Sequence, residues 1–202
     1  AHLITGHHRL HHDFEAAFAR FVGKPAALLF STGYMANLAV LTALPGRQGE
    51  VFADKLNHAS LVDAAQLSGA GFTRYRHNDL AQLEGQLAAS TAQNKIIVSD
   101  LVFSMDGDQA PVDALLDLAE RFDAWLYLDD AHGFGVLNDG HGGLTDRARM
   151  SDRVIYLATL GKAAGVAGAA VAAHESVIDW LIQKARPYIY TTASPPLLAA
   201  CL

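Results

Sequence analysis

The chain has 202 residues, 51% hydrophobic and 18% charged, which is enough apolar surface for one core and too little charge to keep the chain unfolded by self-repulsion. With 15 basic against 21 acidic side chains the net charge is −6, the wrong sign for displacing counterions from a phosphate backbone, so nucleic acid is not an expected partner. Cys201, the single cysteine, closes no internal disulfide, no apolar run reaches the roughly 20 residues a bilayer requires, and the histidine-rich start lacks a signal-peptide core; the expectation is a cytoplasmic chain with no membrane partner. In chain order, Phe14, Phe18, Phe21 and Val22 recur at helical spacing, and Gly23 stands where a left-handed cap would sit. Ala26 to Phe30 predicts a strand ending at Ser31-Thr32-Gly33, and Tyr34, Met35, Leu38 and Leu41 then mark a helix that stops at Pro45. The alternation repeats with strands at Val51–Ala53, Phe72–Arg76, Ile96–Val98 and Trp125–Leu128 and with helices from Ala59, Asp79 and Pro111.

After Asp129 the rhythm loosens into a connection bearing Gly133, Gly135, Gly140, Gly142 and Gly143, and a long connection inside a compact domain usually serves function. Val154–Leu157 resumes the sheet, Val166–Ala173 is the last strand expected, and a helix runs from about Glu175 to Arg186. Leu197 to Leu202 is an apolar, helix-like run without a cap, and the first residue is not Met, so the chain reads as part of something longer. The pattern implies crossover connections and one α/β domain, residues 1–202, with a mostly parallel sheet flanked by helices. Ligands of such sheets bind beyond the carboxyl ends of the strands, where chemistry is to be sought.

Several familiar sites are excluded. Gly161-Lys162 resembles the end of a phosphate-binding P-loop, but Ala163 replaces the magnesium-holding Ser or Thr and Tyr156 the leading glycine. No G-x-G-x-x-G follows a strand, and neither H-E-x-x-H nor G-x-S-x-G occurs. What remains at the strand ends is polar. Ser31-Thr32-Gly33-Tyr34 offers a glycine and a helix start, which suit a phosphate or simply make a turn. Asn57-His58 opens a helix, where a histidine serves as readily as a cap. Trp125–Leu128 delivers Asp129 at the end of an apolar strand, with His132 three residues on; a carboxylate so placed needs a cationic partner unless solvent reaches it. Lys162 lies in a small-residue loop, where low polarity would make it a nucleophile and water would leave it a plain surface lysine. Together, a phosphate cradle, a ring-stacking histidine, a buried carboxylate and a lysine are the parts of a pyridoxal phosphate site, in which the lysine holds the aldehyde as a Schiff base.

Four motifs in order, Phe103-Ser104-Met105-Asp106-Gly107-Asp108, Asp129-Asp130-Ala131-His132-Gly133-Phe134-Gly135, Thr159-Leu160-Gly161-Lys162 and Thr191-Thr192-Ala193-Ser194-Pro195-Pro196, carry a resemblance from about Gly6 to Pro196. The sequence resembles the α-oxoamine synthases, a branch of the fold-type I (aspartate aminotransferase-like) pyridoxal phosphate enzymes. The Asp-Asp-Ala-His-Gly form, with Gly161 to Ala169, is most similar to the members that condense L-alanine with pimeloyl-CoA in biotin synthesis; a sibling using glycine and another acyl-CoA, or a non-catalytic cofactor-binding subunit, stays open.

The resemblance implies that Lys162 carries the cofactor and acts as general base, that Asp129 bonds the pyridine nitrogen, and that His132 and Ser104 contact the phenolic oxygen. It further implies that His58 stacks on the ring, that Gly33 and Tyr34 backbone N–H groups and the Thr159 hydroxyl hold the phosphate, and that the active unit is a homodimer, with Thr191 or Thr192 reaching the neighbouring subunit's site. Asp100 departs from the family by standing where many relatives carry glutamate. An amino-terminal arm and a carboxy-terminal small domain have no counterpart, so a large cofactor domain alone is expected. His7, His8, His11 and His12 suggest no metal, since only His8 and His12 share helical ligand spacing and no acidic companion is evident.

Overall fold

A computed structural model describes residues 2–202. After a π-helical turn at His2–Gly6, the elements are α1 (Arg9–Val22), β1 (Ala26–Phe30), α2 (Gly33–Ala43), β2 (Glu50–Asp54), α3 (Ala59–Leu67), β3 (Gly71–Tyr75) and α4 (Leu80–Ala89). There follow β4 (Lys95–Asp100), α5 (Val112–Arg121), β5 (Ala124–Asp129), α6 (Asp146–Met150), β6 (Val154–Thr159), β7 (Ala169–Ala173), α7 (Glu175–Lys184), α8 (Arg186–Ile189) and α9 (Pro196–Ala200). Helix starts follow local chemistry: Thr32, His58 and Asp79 accept the N–H groups of Met35, Ser60 and Gln82, and Gly23 ends α1 in the left-handed region (φ 73°).

One sheet of seven strands takes the order β1-β7-β6-β5-β4-β2-β3. The pairs β2–β3, β2–β4, β4–β5 and β5–β6 are parallel, each needing a crossover, and β7 runs antiparallel to β1 and β6. The central strands are apolar on both faces because both are covered. Phe52, Ile97, Leu126 and Tyr156 pack with Phe14 and Phe18 of α1, Leu83 of α4 and Leu115 of α5. Val51, Ile96, Tyr127 and Ile155 face the other way, against Val40 of α2, Leu61 of α3 and Leu181 of α7.

The expected mostly parallel α/β sheet is present. The last strand is shorter than its apolar run, starting at Ala169 and not Val166, because Gly165 and Gly168 take positive φ (71° and 104°) and the Val166 N–H turns back to the Leu160 carbonyl. That short turn replaces a helical crossover, which is why β7 reverses direction. The helix expected to reach Arg186 ends at Lys184, and Pro187 sits in the first turn of α8. The parallel topology lines up Asp54, Asp100, Asp129 and Thr159 at the carboxyl ends of β2, β4, β5 and β6.

A Cβ on Gly168 would lie 2.9 Å from the Phe30 carbonyl oxygen in a conformation side chains rarely adopt. Gly168→Ala is expected to cost about 2 kcal/mol, read as a lower urea midpoint with an unchanged slope. An unchanged midpoint would show that the turn tolerates a side chain.

Candidate functional site

A cavity of about 200 Å³ opens at the carboxyl edge, lined by Gly33, Tyr34, Asn37, His58, Ser60, Asp100, Asp129, Ala131, His132, Thr159 and Lys162. These residues come from α2, α3, β4, β5, β6 and the segments after β5 and β6, so the topology brings distant positions to one place. A wider groove of about 730 Å³ lies beside Arg20, His141 and Arg149, but no strand end contributes to it. Its Arg149 is bonded to the Val22 and His141 carbonyls, 3.1 Å each.

Asp129 is the buried anchor of the cavity, 5% exposed. Its Oδ2 accepts from Asn37 Nδ2 (2.9 Å) and its Oδ1 from the Ala131 N–H (3.0 Å). Asn37 is in turn fixed by the Tyr127 hydroxyl, which donates to its Oδ1 at 2.6 Å, and by its own bond to Ser60 Oγ at 2.8 Å. Burial raises the Asp129 pKa, and these hydrogen bonds, with the charges of Lys162 and His58, oppose the rise. No cationic side chain forms an ion pair with it among the described residues. The carboxylate therefore favours a ligand that brings a positively charged N–H to it.

Lys162 stands at the open side, its Nζ 2.8 Å from His132 Nε2. Partial burial and the lysine charge both lower the His132 pKa, so the ring is neutral and Nε2 accepts from the ammonium. His58 caps α3 through its Nδ1, and its N–H donates to Asp100 Oδ2 at 2.9 Å. Asp100 pairs in register with Asp129, and its pKa is pushed up to about 8 by burial first and by the Asp129 charge second. Burial and the neighbouring charge both favour the protonated form of Asp100.

The start of α2 meets β6 closely: a Cβ on Gly33 would stand 2.8 Å from Thr159 Cγ2. Thr32 Oγ1 and the Thr32 carbonyl engage the N–H groups of Met35 and Ala36, while the Gly33 and Tyr34 N–H groups of this eleven-residue helix are left for an anion. The glycine is required by proximity and not by its φ.

Of the residues expected from sequence, Gly33, Tyr34, His58, Asp129, His132, Thr159 and Lys162 all line the cavity. Ser104 does not; it lies on the exposed loop after β4. Sequence reading missed Asn37, Ser60 and Tyr127, and the one available signal was an asparagine inside the apolar face of a helix. It also missed an acidic neighbour of the histidine group, since Glu15 Oε2 lies 3.6 Å from His7 Nε2. His11 is nevertheless committed at both ring nitrogens, to the His8 N–H (3.0 Å) and the Ser194 carbonyl (2.8 Å), and Glu15 Oε1 holds the Leu29 N–H (2.9 Å). These groups tie α1 to its surroundings.

A family model for aminotransferase class I and II matches residues 2–202. The chain belongs to this family. Among curated proteins it is 81% identical to an 8-amino-7-oxononanoate synthase of Thiobacillus denitrificans over 100% of this chain and 52% of that protein. It is 63% identical to one of Chromobacterium violaceum, over 100% of this chain and 53% of that protein. The chain thus spans about half the length of these family relatives. Among solved structures, a serine palmitoyltransferase from S. paucimobilis with bound PLP and myriocin superposes with a TM-score of 0.93 at 30% identity, covering 100% of this chain and 51% of that one. An 8-amino-7-oxononanoate synthase from Francisella tularensis gives 0.83 at 38% identity, covering 96% and 57%. These neighbours agree with the fold-type I sheet expected from sequence.

The Asp100 pKa has a sign that can be tested. Its folded value lies above the unfolded one, so its favourable contribution is complete below about pH 4 and is lost as pH rises toward 8. Asp100→Asn keeps an acceptor for the His58 N–H and cannot ionise. Its stability relative to the wild type is expected to rise steadily between pH 5 and 8, in urea melts at each pH. A difference that does not vary with pH would refute the protonated assignment.

Proposed function

We propose that the chain is the cofactor-binding domain of a pyridoxal phosphate-dependent 8-amino-7-oxononanoate synthase, which condenses L-alanine with pimeloyl-CoA and releases coenzyme A and carbon dioxide. The observation that supports the reading is one cavity lined both by a buried carboxylate without an ion-pair partner among the described residues and by a lysine amine. The donor set fits the cofactor. Asp129 would take the protonated ring nitrogen, Lys162 the aldehyde carbon, and the Gly33 and Tyr34 N–H groups with the Thr159 hydroxyl the phosphate. His58 and His132 would flank the ring and its phenolic oxygen; Ser104, expected at that oxygen, lies outside the cavity and is assigned no contact. Identities of 58–81% to relatives of this name, against 30% to serine palmitoyltransferase, favour alanine and pimeloyl-CoA over a sibling reaction.

Pyridoxal phosphate, when bound, supplies an electron sink for the substrate carbon that loses a proton or a carboxyl group. The chain's own groups supply the rest. Asp129, oriented by Asn37 and the Ala131 N–H, would keep a proton at the ring nitrogen, because neither neutral donor cancels its buried charge. The Lys162 amine removes the alanine Cα proton, and His132 Nε2, 2.8 Å away, holds that amine in place. Attack of that carbon on the thioester carbonyl breaks the C–S bond and expels the thiolate, which takes up a proton; departure of the carboxyl group as carbon dioxide leaves its electron pair on the carbon, and a proton delivered there gives the amino ketone. A homodimer in the cytoplasm belongs to the same proposal.

Lys162→Ala is expected to abolish the borohydride-reducible covalent link to pyridoxal phosphate while leaving the melting temperature near that of the wild type, since the residue is exposed. Asp129→Asn is expected to keep cofactor bound and slow thiol release from pimeloyl-CoA by about a hundredfold or more. A persistent link in the first variant, or undiminished thiol release in the second, would overturn the assignments. Faster turnover with glycine than with alanine would point to the sibling reaction.

A further inference from the structure

Outside the cavity, at the same sheet edge, His77 bridges two carboxylates. Its Nδ1 lies 3.0 Å from Asp54 Oδ1, and its Nε2 lies 2.6 Å from Asp108 Oδ2. Asp54 ends β2 and is fully buried; Asp108 belongs to the loop after β4. A carboxylate only accepts, so the two contacts together require a proton on each ring nitrogen, that is, an imidazolium. The site is built for this. Asp54 is fixed by the N–H groups of Leu56 and Asn78 (2.8 Å each), and Asp108 also accepts from Asn78 Nδ2 at 3.2 Å. Asp108 Oδ1 is buried without a partner, and the Phe103 ring meets the imidazole edge-on at 4.4 Å.

The loop so held is continuous with the cavity wall. It leaves β4 just after Asp100, Leu101 donates its N–H to the Asp129 carbonyl at 2.7 Å, and Val102 packs under Gly133, the residue after His132. Within it the Phe103 N–H reaches the Asp108 carbonyl (2.9 Å) and the Gly107 N–H the Phe103 carbonyl (2.8 Å); its base is closed by the Val102–Gln109 bridge and the Ala110 N–H to the Leu101 carbonyl (3.0 Å), with the Phe103 ring buried in the core. We propose that His77 is a positioning residue, an imidazolium clasp between Asp54 and Asp108 that fixes the Phe103–Asp108 loop beside the cavity and releases it when the ring becomes neutral. The clasp stands on its own geometry, and its bearing on turnover rests on the acyl transfer proposed above.

The charges acting on the ring are Asp54, from β2, and Asp108, from the loop itself; Asn78 adds a neutral amide and Phe103 an apolar edge. Partial burial works against a charged ring, but the two carboxylates outweigh it and hold the pKa above the usual 6.5. The clasp is therefore complete below that value and opens as pH rises through the raised one. Asp54 keeps two backbone donors without the ring, so loss of His77 does not strand a buried charge.

Hydrogen exchange of the holoenzyme, corrected for intrinsic rates, tests this at the Phe103 and Gly107 amides. Wild-type protection is expected to fall as pH rises from 6 to 9, and His77→Ala to lose about tenfold in protection at pH 6 while the strand amides keep theirs. Asp108→Asn is expected to stay protected across the range, because an amide can accept from a protonated ring nitrogen or donate to a bare one. Equal protection in wild type and His77→Ala, or a wild-type pH dependence in Asp108→Asn, would overturn the clasp. Thiol release in the same proteins tests the positioning role: its alkaline decline should coincide with loop opening and disappear in Asp108→Asn, and a decline unchanged in that variant would contradict the role. Absence of thiol release from wild type, with the exchange pattern intact, would refute the acyl transfer and leave the clasp standing.

Discussion

The site depends on one constraint: β5 ends in a carboxylate that the fold buries and does not neutralise. Removing a charge from water is costly unless hydrogen bonds or an opposite charge offset the loss. Here Asn37 and the Ala131 N–H orient Asp129 without cancelling its charge. The neighbouring strand adds Asp100, whose charge would worsen the imbalance, and the upward shift of its pKa is the local response. Burial of Asp129 thus favours a cationic group in the cavity and shifts Asp100 toward its neutral form.

The same edge shows how one fold gives three acids different lives. Asp54, Asp100 and Asp129 end the adjacent strands β2, β4 and β5. Asp54 has two backbone donors and His77, Asp100 has one backbone donor and a raised pKa, and Asp129 has the Asn37 amide, the Ala131 N–H and the cavity before it. Parallel topology places such groups side by side because every strand of the run ends at the same edge. Asp130, one residue on, turns away to take the Tyr156 hydroxyl (2.7 Å) and the Gly143 N–H (2.8 Å), so it anchors the glycine-bearing connection.

The sheet was legible because its central strands are buried on both faces and read as short apolar runs between helical patterns. Its last strand was misjudged by three residues because Val166 and Ala167 are apolar, while the conformations of Gly165 and Gly168 decide where pairing begins. Asp129, His132 and Lys162 stood out as polar residues at strand ends and in family motifs. Asn37, Ser60 and Tyr127 did not, since each looks like ordinary helix or strand until the fold joins them through 2.6–2.9 Å bonds. His77 was hidden too: it lies in a turn beside Asn78 (φ 52°), and both of its partners are more than twenty residues away.

The central claim is that Asp129 keeps a proton on the ring nitrogen of a bound aromatic aldehyde. It is tested most directly by nuclear magnetic resonance of pyridoxal phosphate isotopically labelled at that nitrogen and bound to the protein at neutral pH. The account predicts a protonated pyridine nitrogen whose signal moves to the unprotonated position in Asp129→Asn. An unprotonated nitrogen in the wild-type protein, or one indifferent to the substitution, would contradict it.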